Sequence, residues 1–320
     1  MARQKSTLNI YVRGPVRGKT PRYQFGHTFL NQFGYASLII IIKGDFMGER
    51  AFFFQGVSVL APEEGDAAVQ ELEIPLAYVE HFPLSDIFTV PAVVGGAEGG
   101  AISGVYLPAE ATLPPRWQAI PVRQMLSLLA DSRIDGETEQ TGRMLRAFHI
   151  AQWRQESLFC GSCGSKNTDA VFNGDEPGGP ARQCPSCGRM EFPRIAPAVM
   201  TLVTNDEGKI LLAHNKTFAP GLYSLIAGFV EAGENLEAAA AREVREETGI
   251  EIRGIQYAAS QPWPFPHSLM ICFTARHASG AVKPDGVEIE DAQWFSRGNL
   301  PTLPGPGATA RRLIDRWLEG

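Results

Sequence analysis

The chain has 320 residues, room for two domains of roughly 100–200 residues or one domain with a large insertion. Hydrophobic residues make up 44% and charged residues 20%, a globular balance, and the longest wholly apolar run, Leu38 to Ile42, is far too short to span a bilayer. A formal net charge of −6 argues against tight binding of long nucleic acid by phosphate neutralisation, but not against a small anion met locally by metal and arginine.

The first residues, MARQKSTLNIYVRG, are basic without the apolar core of a secretory signal. The last, Trp317 to Gly320, carry no peroxisomal address, so the expected location is cytoplasmic, with no membrane partner. Tyr35 to Lys43 and Arg50 to Leu60 are β-rich runs separated by Gly44 and Gly48, which suits a hairpin. Gly95 to Gly100 has neither a following Lys-Ser/Thr nor a GxGxxG pattern, so it reads as a turn before a strand at Ile102 to Leu107. Helices are expected at Gln124 to Ala130 and Gly142 to Glu156, around the polar break Asp131 to Gln140. His149 in the second reads as a packing or surface histidine, because no spaced metal partner accompanies it.

Four of the five cysteines form Cys160-x₂-Cys163 and Cys184-x₂-Cys187, while Cys272 stands alone in an apolar run. Without a secretion signal, two CxxC knuckles that each turn on a glycine favour one tetrahedral zinc over disulfides. All four ligands come from the chain, so such an ion is structural; a redox pair or two free-thiol turns are the competing readings.

Strands follow at Val199 to Asn205, Lys209 to His214 and Leu222 to Val230, the first two joined by the turn Asn205-Asp206-Glu207-Gly208. From Leu236 to Thr248 there is no glycine or proline, four consecutive alanines favour helix, and Gly249 lies where a left-handed cap belongs. Leu236, Ala240 and Val244 define an inward stripe. Glu243 and Glu247 fall on that same stripe with Glu246 one step round, while Arg242 and Arg245 take the outer side. Carboxylates held against the body of a protein repel one another and lose hydration, and a divalent cation with oxygen ligands resolves the conflict. A solvated acidic face is the alternative.

Further strands are expected at Ile255 to Ser260, Ser268 to Ala278 and Ala292 to Phe295, with a closing helix at Ala308 to Leu318. Strands around helices with a mixed sheet indicate an α/β/α sandwich. Between two of these strands lies SQPWPFPHS, residues 260–268, whose three alternate prolines give a stiff extended loop that projects Trp263 and Phe265 with a period of two. Such faces suit stacking on flat rings; a linker with its aromatics packed inward is equally consistent.

Gly228, Glu234, Arg242-Glu243-Val244, Glu246-Glu247 and Gly249-Ile250 match the Nudix box at every fixed position, and SQPWPFPxS resembles the signature of the NADH pyrophosphatase branch. The resemblance is strong from about Met144 onward. It implies an α+β chain: a β-rich N-terminal domain with linking helices over 1–155, a zinc ribbon over 156–192 and a Nudix α/β/α sandwich over 193–320. It implies metal-dependent hydrolysis of NADH or NAD⁺ to nicotinamide mononucleotide and AMP, removal of NAD caps from RNA 5′ ends, a homodimer, and more than one Mg²⁺ or Mn²⁺ beside the structural Zn²⁺.

Carried over by residue, the resemblance makes Glu243 and Glu247 metal ligands with Glu246 beside them. One of the three is the base. The Ala227 carbonyl and Glu288 complete the ligand set, and Glu234 pairs with Arg242. Gln261, Pro262, Trp263, Pro264, Phe265, Pro266, His267 and Ser268 line the dinucleotide site, with Phe229 and Ala310 near the rings and Arg123 reaching the substrate. Phe192 falls where relatives often carry a substrate-contacting tyrosine, and it lacks that hydroxyl. Two other readings stay open. One is a broad Nudix hydrolase of ADP-ribose or dinucleoside polyphosphates, and the other a zinc-ribbon nucleic-acid-binding protein with a degenerate Nudix domain.

Overall fold

The computed structural model describes residues 50–62, 74–75, 86–94, 97–113, 117–131, 139–170 and 180–320, all within the unit Asp45–Gly320. The run Tyr35 to Lys43, and with it one arm of the expected hairpin, lies outside these residues.

Strands β1 (Arg50–Gln55) and β2 (Ser58–Pro62) are themselves a hairpin, where one continuous β run was expected. Gly56 makes the turn possible with φ at +57°, a region open to glycine without a Cβ penalty. With β3 (Ile74–Pro75), β4 (Asp86–Val94), β5 (Ala97–Leu107) and β6 (Trp117–Pro121) they build a mixed sheet ordered β4-β5-β1-β2-β6, with β3 also on β1. Residues 97–100 pair into β5, so the strand starts earlier than the glycine density implied. Alternation along β1 splits the core. Phe52 and Phe54 face α1 (Val122–Asp131) and α2 (Glu139–Glu156), while Ala51 and Phe53 face the other side.

Three two-residue strands, β7 (Thr168–Asp169), β8 (Arg182–Gln183) and β9 (Met190–Glu191), carry the cysteine knuckles. Arg154 of α2 ties this piece to the first sheet, donating to Asp86 of β4 and to Asp169 of β7. His149 meets the Arg194 carbonyl at 2.8 Å, a packing role rather than a metal one.

The second large sheet is ordered β13-β14-β10-β11-β15, with β12 also on β10. Its strands are β10 (Ala196–Thr204), β11 (Ile210–Asn215), β12 (Ile226–Phe229), β13 (Glu251–Trp263), β14 (Ser268–Ser279) and β15 (Ile289–Phe295). Only the β10–β14 pair among these is parallel, so the sheet is mixed as expected. Helix α3 (Leu236–Thr248) packs against one face through Val199, Ala239, Ala240 and Phe273. Helix α4 (Thr309–Glu319) covers the other through Leu202, Leu212, Cys272 and Ile314. This is the α/β/α sandwich.

One expected loop is a strand. Ser260 to Trp263 pair with Ser268 to Ile271, leaving only Pro264 to His267 as the turn of a long hairpin. Pro262 is tolerated because β13 is the edge of its sheet, where a missing N–H interrupts no second ladder. Trp263 and Phe265 do not stand as open faces. They pack edge to face at 5.1 Å against the core of the first sheet, with Phe265 5.6 Å from Phe148 of α2. The apolar surface offered by α2 outweighs the projection that alternating prolines predict. The fully buried Phe148 ring also meets Phe54 at 5.5 Å, so it joins the two layers. Phe148→Ala is expected to lower the unfolding free energy by about 3–5 kcal/mol in urea titration; a loss near zero would show that the layers are held elsewhere.

Candidate active site

Helix α3 is bounded at both ends by its own sequence. The Asn235 side chain accepts from the Ala238 N–H at 2.8 Å, and Gly249 closes the helix with φ at +73°. Its buried side chains, Ala239, Ala240, Val244, Glu247 and Thr248, confirm the inward stripe and set a carboxylate within it. Glu247 is 7% exposed, Glu243 is half-buried, and Glu246 is exposed.

Gly228 is what admits Glu243. A Cβ at that position would lie 2.1 Å from the Glu243 carboxyl carbon, so a side chain there would displace the carboxylate. Ala227, beside it, pairs with Met200 in β10.

Arg242 departs from the outward placement expected of it. Its guanidinium curls back, donating to Glu234 at 2.6 and 2.9 Å, to Glu243 at 2.9 Å, to Glu246 at 3.0 Å and to the Phe229 carbonyl at 2.9 Å. The expected Glu234–Arg242 pair is present, and it holds Glu234 down to about 2, with help from the Glu231 N–H. One cation thus serves Glu234, Glu243 and Glu246. No ion pair among the described residues reaches Glu247.

The consequence is electrostatic. Burial, then the carboxylates of Glu243, Glu288, Asp285 and Glu246, pushes Glu247 up to about 8. Burial also raises Glu243, against the pull of Arg242. Two carboxyls driven towards protonation by low solvation and by neighbouring carboxylates form a set that a divalent cation satisfies.

Glu288 comes to this set from the turn just before β15, where Ile289 packs with Val244 of α3. The Asp285 carboxylate accepts from the N–H groups of Val287, Glu288 and Ile289 at 3.1, 3.2 and 2.9 Å. Sequence reasoning passed over Asp285, although Asp285-Gly286 is a recognisable Asx-turn signal. Glu290 points elsewhere, 3.8 Å from His214, which separates it from Glu288.

On the α4 face, Phe229, Ala198, Met270 and Gln261 stand in register across β12, β10, β14 and β13. This row lies on the face of the sheet opposite the α3 carboxylates, and Ala198 within it is buried. Phe229 is 53% exposed at one end. Gln261 at the other end is buried, donating to the Gly307 carbonyl and accepting from the Thr309 N–H at 2.9 Å, so it anchors α4. Ala310 is buried in the core beneath, and Pro264 and Ser268 are also buried. Pro262 and Pro266 are exposed, and His267 is half-buried. The Arg123 guanidinium lies 4.7 Å from the Phe265 ring and 5.7 Å from that of Trp263. Phe192 is exposed and lines a cavity of about 700 Å³ with Pro262, Gln261 and His149.

The sulfurs of Cys160, Cys163, Cys184 and Cys187 all lie within 4.8 Å of one another, and none is in a disulfide. The two knuckles repeat each other. Gly164 and Gly188, both at positive φ, donate to the carbonyls of Cys160 and Cys184 at 2.9 Å. The closest sulfur pairs, at 3.4 and 3.7 Å, suit a tetrahedral ion whose Zn–S bonds are about 2.3 Å.

Residues 194–318 match the NUDIX domain family. A protein named NAD-capped RNA hydrolase NudC, from Deinococcus radiodurans, is 36% identical over 261 residues, 81% of this chain and 89% of that one. The chain belongs to the Nudix family. A second NAD-capped RNA hydrolase NudC, from Pseudomonas aeruginosa, is 42% identical over 62% of this chain, and the match spans 66% of that relative's length. Among solved structures, a NUDIX hydrolase from Nitrosomonas europaea is 25% identical over 50% of this chain and 90% of its own, with a TM-score of 0.43. Nudix enzymes generally use divalent metals, in keeping with the carboxylate set described here. No described helix is long and apolar enough to cross a membrane.

The raised Glu247 gives a pH test. Its folded value stands above the ordinary 4.5, so its contribution to stability is complete below pH 4.5 and is lost as pH rises through about 8. In EDTA, the Tm of the wild type is expected to fall relative to Glu247→Gln across that window, and Mg²⁺ to restore it at the upper end. Parallel Tm curves for the two proteins would contradict a buried, cation-demanding carboxyl.

Proposed function

We propose that this Nudix chain hydrolyses the diphosphate bond of NADH and NAD⁺, giving nicotinamide mononucleotide and AMP, and removes NAD caps from RNA 5′ ends. The observation that carries the reading is the Glu243 carboxylate seated at Gly228, with Glu247 buried on the same helix and Glu246 tied to Glu243 through Arg242. The names of the relatives from D. radiodurans and P. aeruginosa support the same substrates.

Glu243, Glu247 and Glu288, with the Ala227 carbonyl, are the proposed ligands of more than one Mg²⁺ or Mn²⁺, and Glu246 stands beside them. When bound, such ions neutralise the diphosphate and acidify a water for in-line attack. One of Glu243, Glu246 and Glu247 takes the proton of that water. One Arg242 nitrogen bridges Glu243 and Glu246, donating to both and orienting them. Exposed Phe229 offers a ring for stacking on a base. Trp263 and Phe265, under Arg123, hold the 260–268 segment in place, and Gln261 anchors it to the start of α4.

In this reading the organisation is an N-terminal β-rich domain over 1–155, a zinc ribbon over 156–192 and a Nudix domain over 193–320. The four cysteines hold one structural Zn²⁺. The protein acts in the cytoplasm as a homodimer, for which exposed Phe192 and Ile195 supply apolar surface.

Glu247→Gln is expected to abolish NADH cleavage while the protein stays folded; near-normal turnover would overturn the assignment. With the wild type and Mg²⁺ or Mn²⁺, NADH and NAD-capped RNA are expected to be cleaved in preference to ADP-ribose and diadenosine tetraphosphate. A preference for the latter pair would instead favour a broad Nudix hydrolase. Elemental analysis is expected to find about one zinc per chain, lost on Cys163→Ser, and a zinc-free wild type would remove the ribbon from the reading.

A further inference from the structure

The side chain of Glu288 belongs to an exposed loop, yet its backbone is held on both sides. Its N–H is one of three that converge on the Asp285 carboxylate. Its carbonyl accepts from the Lys216 N–H at 3.0 Å, and the Lys216 ammonium donates to the neighbouring Gly286 carbonyl at 2.6 Å. Gly286, at φ +70°, lets the chain reverse, and its N–H closes the turn on the Ile289 carbonyl at 3.1 Å.

The same loop is fastened to the helix of glutamates. The N–H groups of Lys283 and Asp285 donate to the carbonyls of Thr248 and Glu247 at 2.8 and 3.2 Å. These are last-turn carbonyls, which have no partner within a helix. A chain of hydrogen bonds therefore runs from the Glu247 carbonyl through the Asp285 N–H and carboxylate to the Glu288 N–H. Without the Asp285 carboxylate, three amides would turn to water and the loop would lose the acceptor that sets its shape. An exposed carboxylate of this kind adds little stability by itself. Its effect falls on the aim of Glu288.

We propose that Asp285 is a positioning residue that holds Glu288 towards Glu243 and Glu247 as part of one divalent-cation cradle. The inference rests on the proposed reading of Glu288 as a metal ligand. Outer partners of this sort typically change metal affinity by about 10–100-fold when removed.

The test is Mn²⁺ binding to the full chain, followed by electron paramagnetic resonance, alongside Tm and the Mn²⁺ dependence of turnover. Asp285→Ala is expected to weaken Mn²⁺ binding about tenfold with only a small change in Tm. Asp285→Asn, which keeps an acceptor oxygen, is expected to recover most of that loss. On a Glu288→Gln background, Asp285→Ala is expected to add almost nothing. Unchanged affinity in Asp285→Ala while Glu288→Gln binds weakly overturns the positioning role alone, as does an undiminished Asp285→Ala effect on the Glu288→Gln background. Unchanged affinity in Glu288→Gln overturns the ligand assignment beneath it.

Discussion

The interaction on which the site depends is the close approach of Glu243 to Gly228. A carboxylate reaches a β-strand backbone this closely only where no side chain intervenes, and β12 supplies that gap. Once α3 is seated there, Glu247 must lie in the core-facing stripe, because the two residues are four apart and share a face. Desolvation then raises both groups, and the helix becomes stable in an ionised state only with positive charge beside it. Arg242 meets this demand for Glu243 and Glu246. Its guanidinium is already committed to Glu234 and to the Phe229 carbonyl, which leaves Glu247 to another cation.

Around this demand the rest of the sandwich is arranged as support. The loop at Asp285 caps the helix end and brings Glu288 from a distant part of the chain. The row from Phe229 to Gln261 lies on the opposite face of the sheet, with the Phe229 ring exposed at its end. Negative charge gathered in this way calls for a cation, and the exposed ring of Phe229, whose carbonyl accepts from Arg242, stands close by.

The N-terminal sheet and its helices enter through packing. Phe148 of α2, with Phe54 behind it, takes up Phe265, and Arg123 closes over both aromatics of the 260–268 segment. The stiff segment therefore acts by being clamped, and its prolines lower the entropy lost on docking. Gln261 extends the clamp to the start of α4.

Much of this was legible in the residues alone. Local signals have local causes: Asn235 and Gly249 bound the glutamate helix, the glycine after each CxxC turns its knuckle, and Asn205 to Gly208 joins two strands. Spacing along one helix also settled which carboxylates share its buried stripe. What the tertiary structure decided was whatever depends on a partner remote in sequence. The proline-aromatic segment became an edge strand and a packed corner because α2 lies against it. Arg242 turned inward because Glu234 and the Phe229 carbonyl wait there. The importance of Asp285 emerged only when three amides and a helix end were placed around it. Periodicity reports the environment a residue needs, whereas the identity of the neighbour that meets the need is a property of the folded chain.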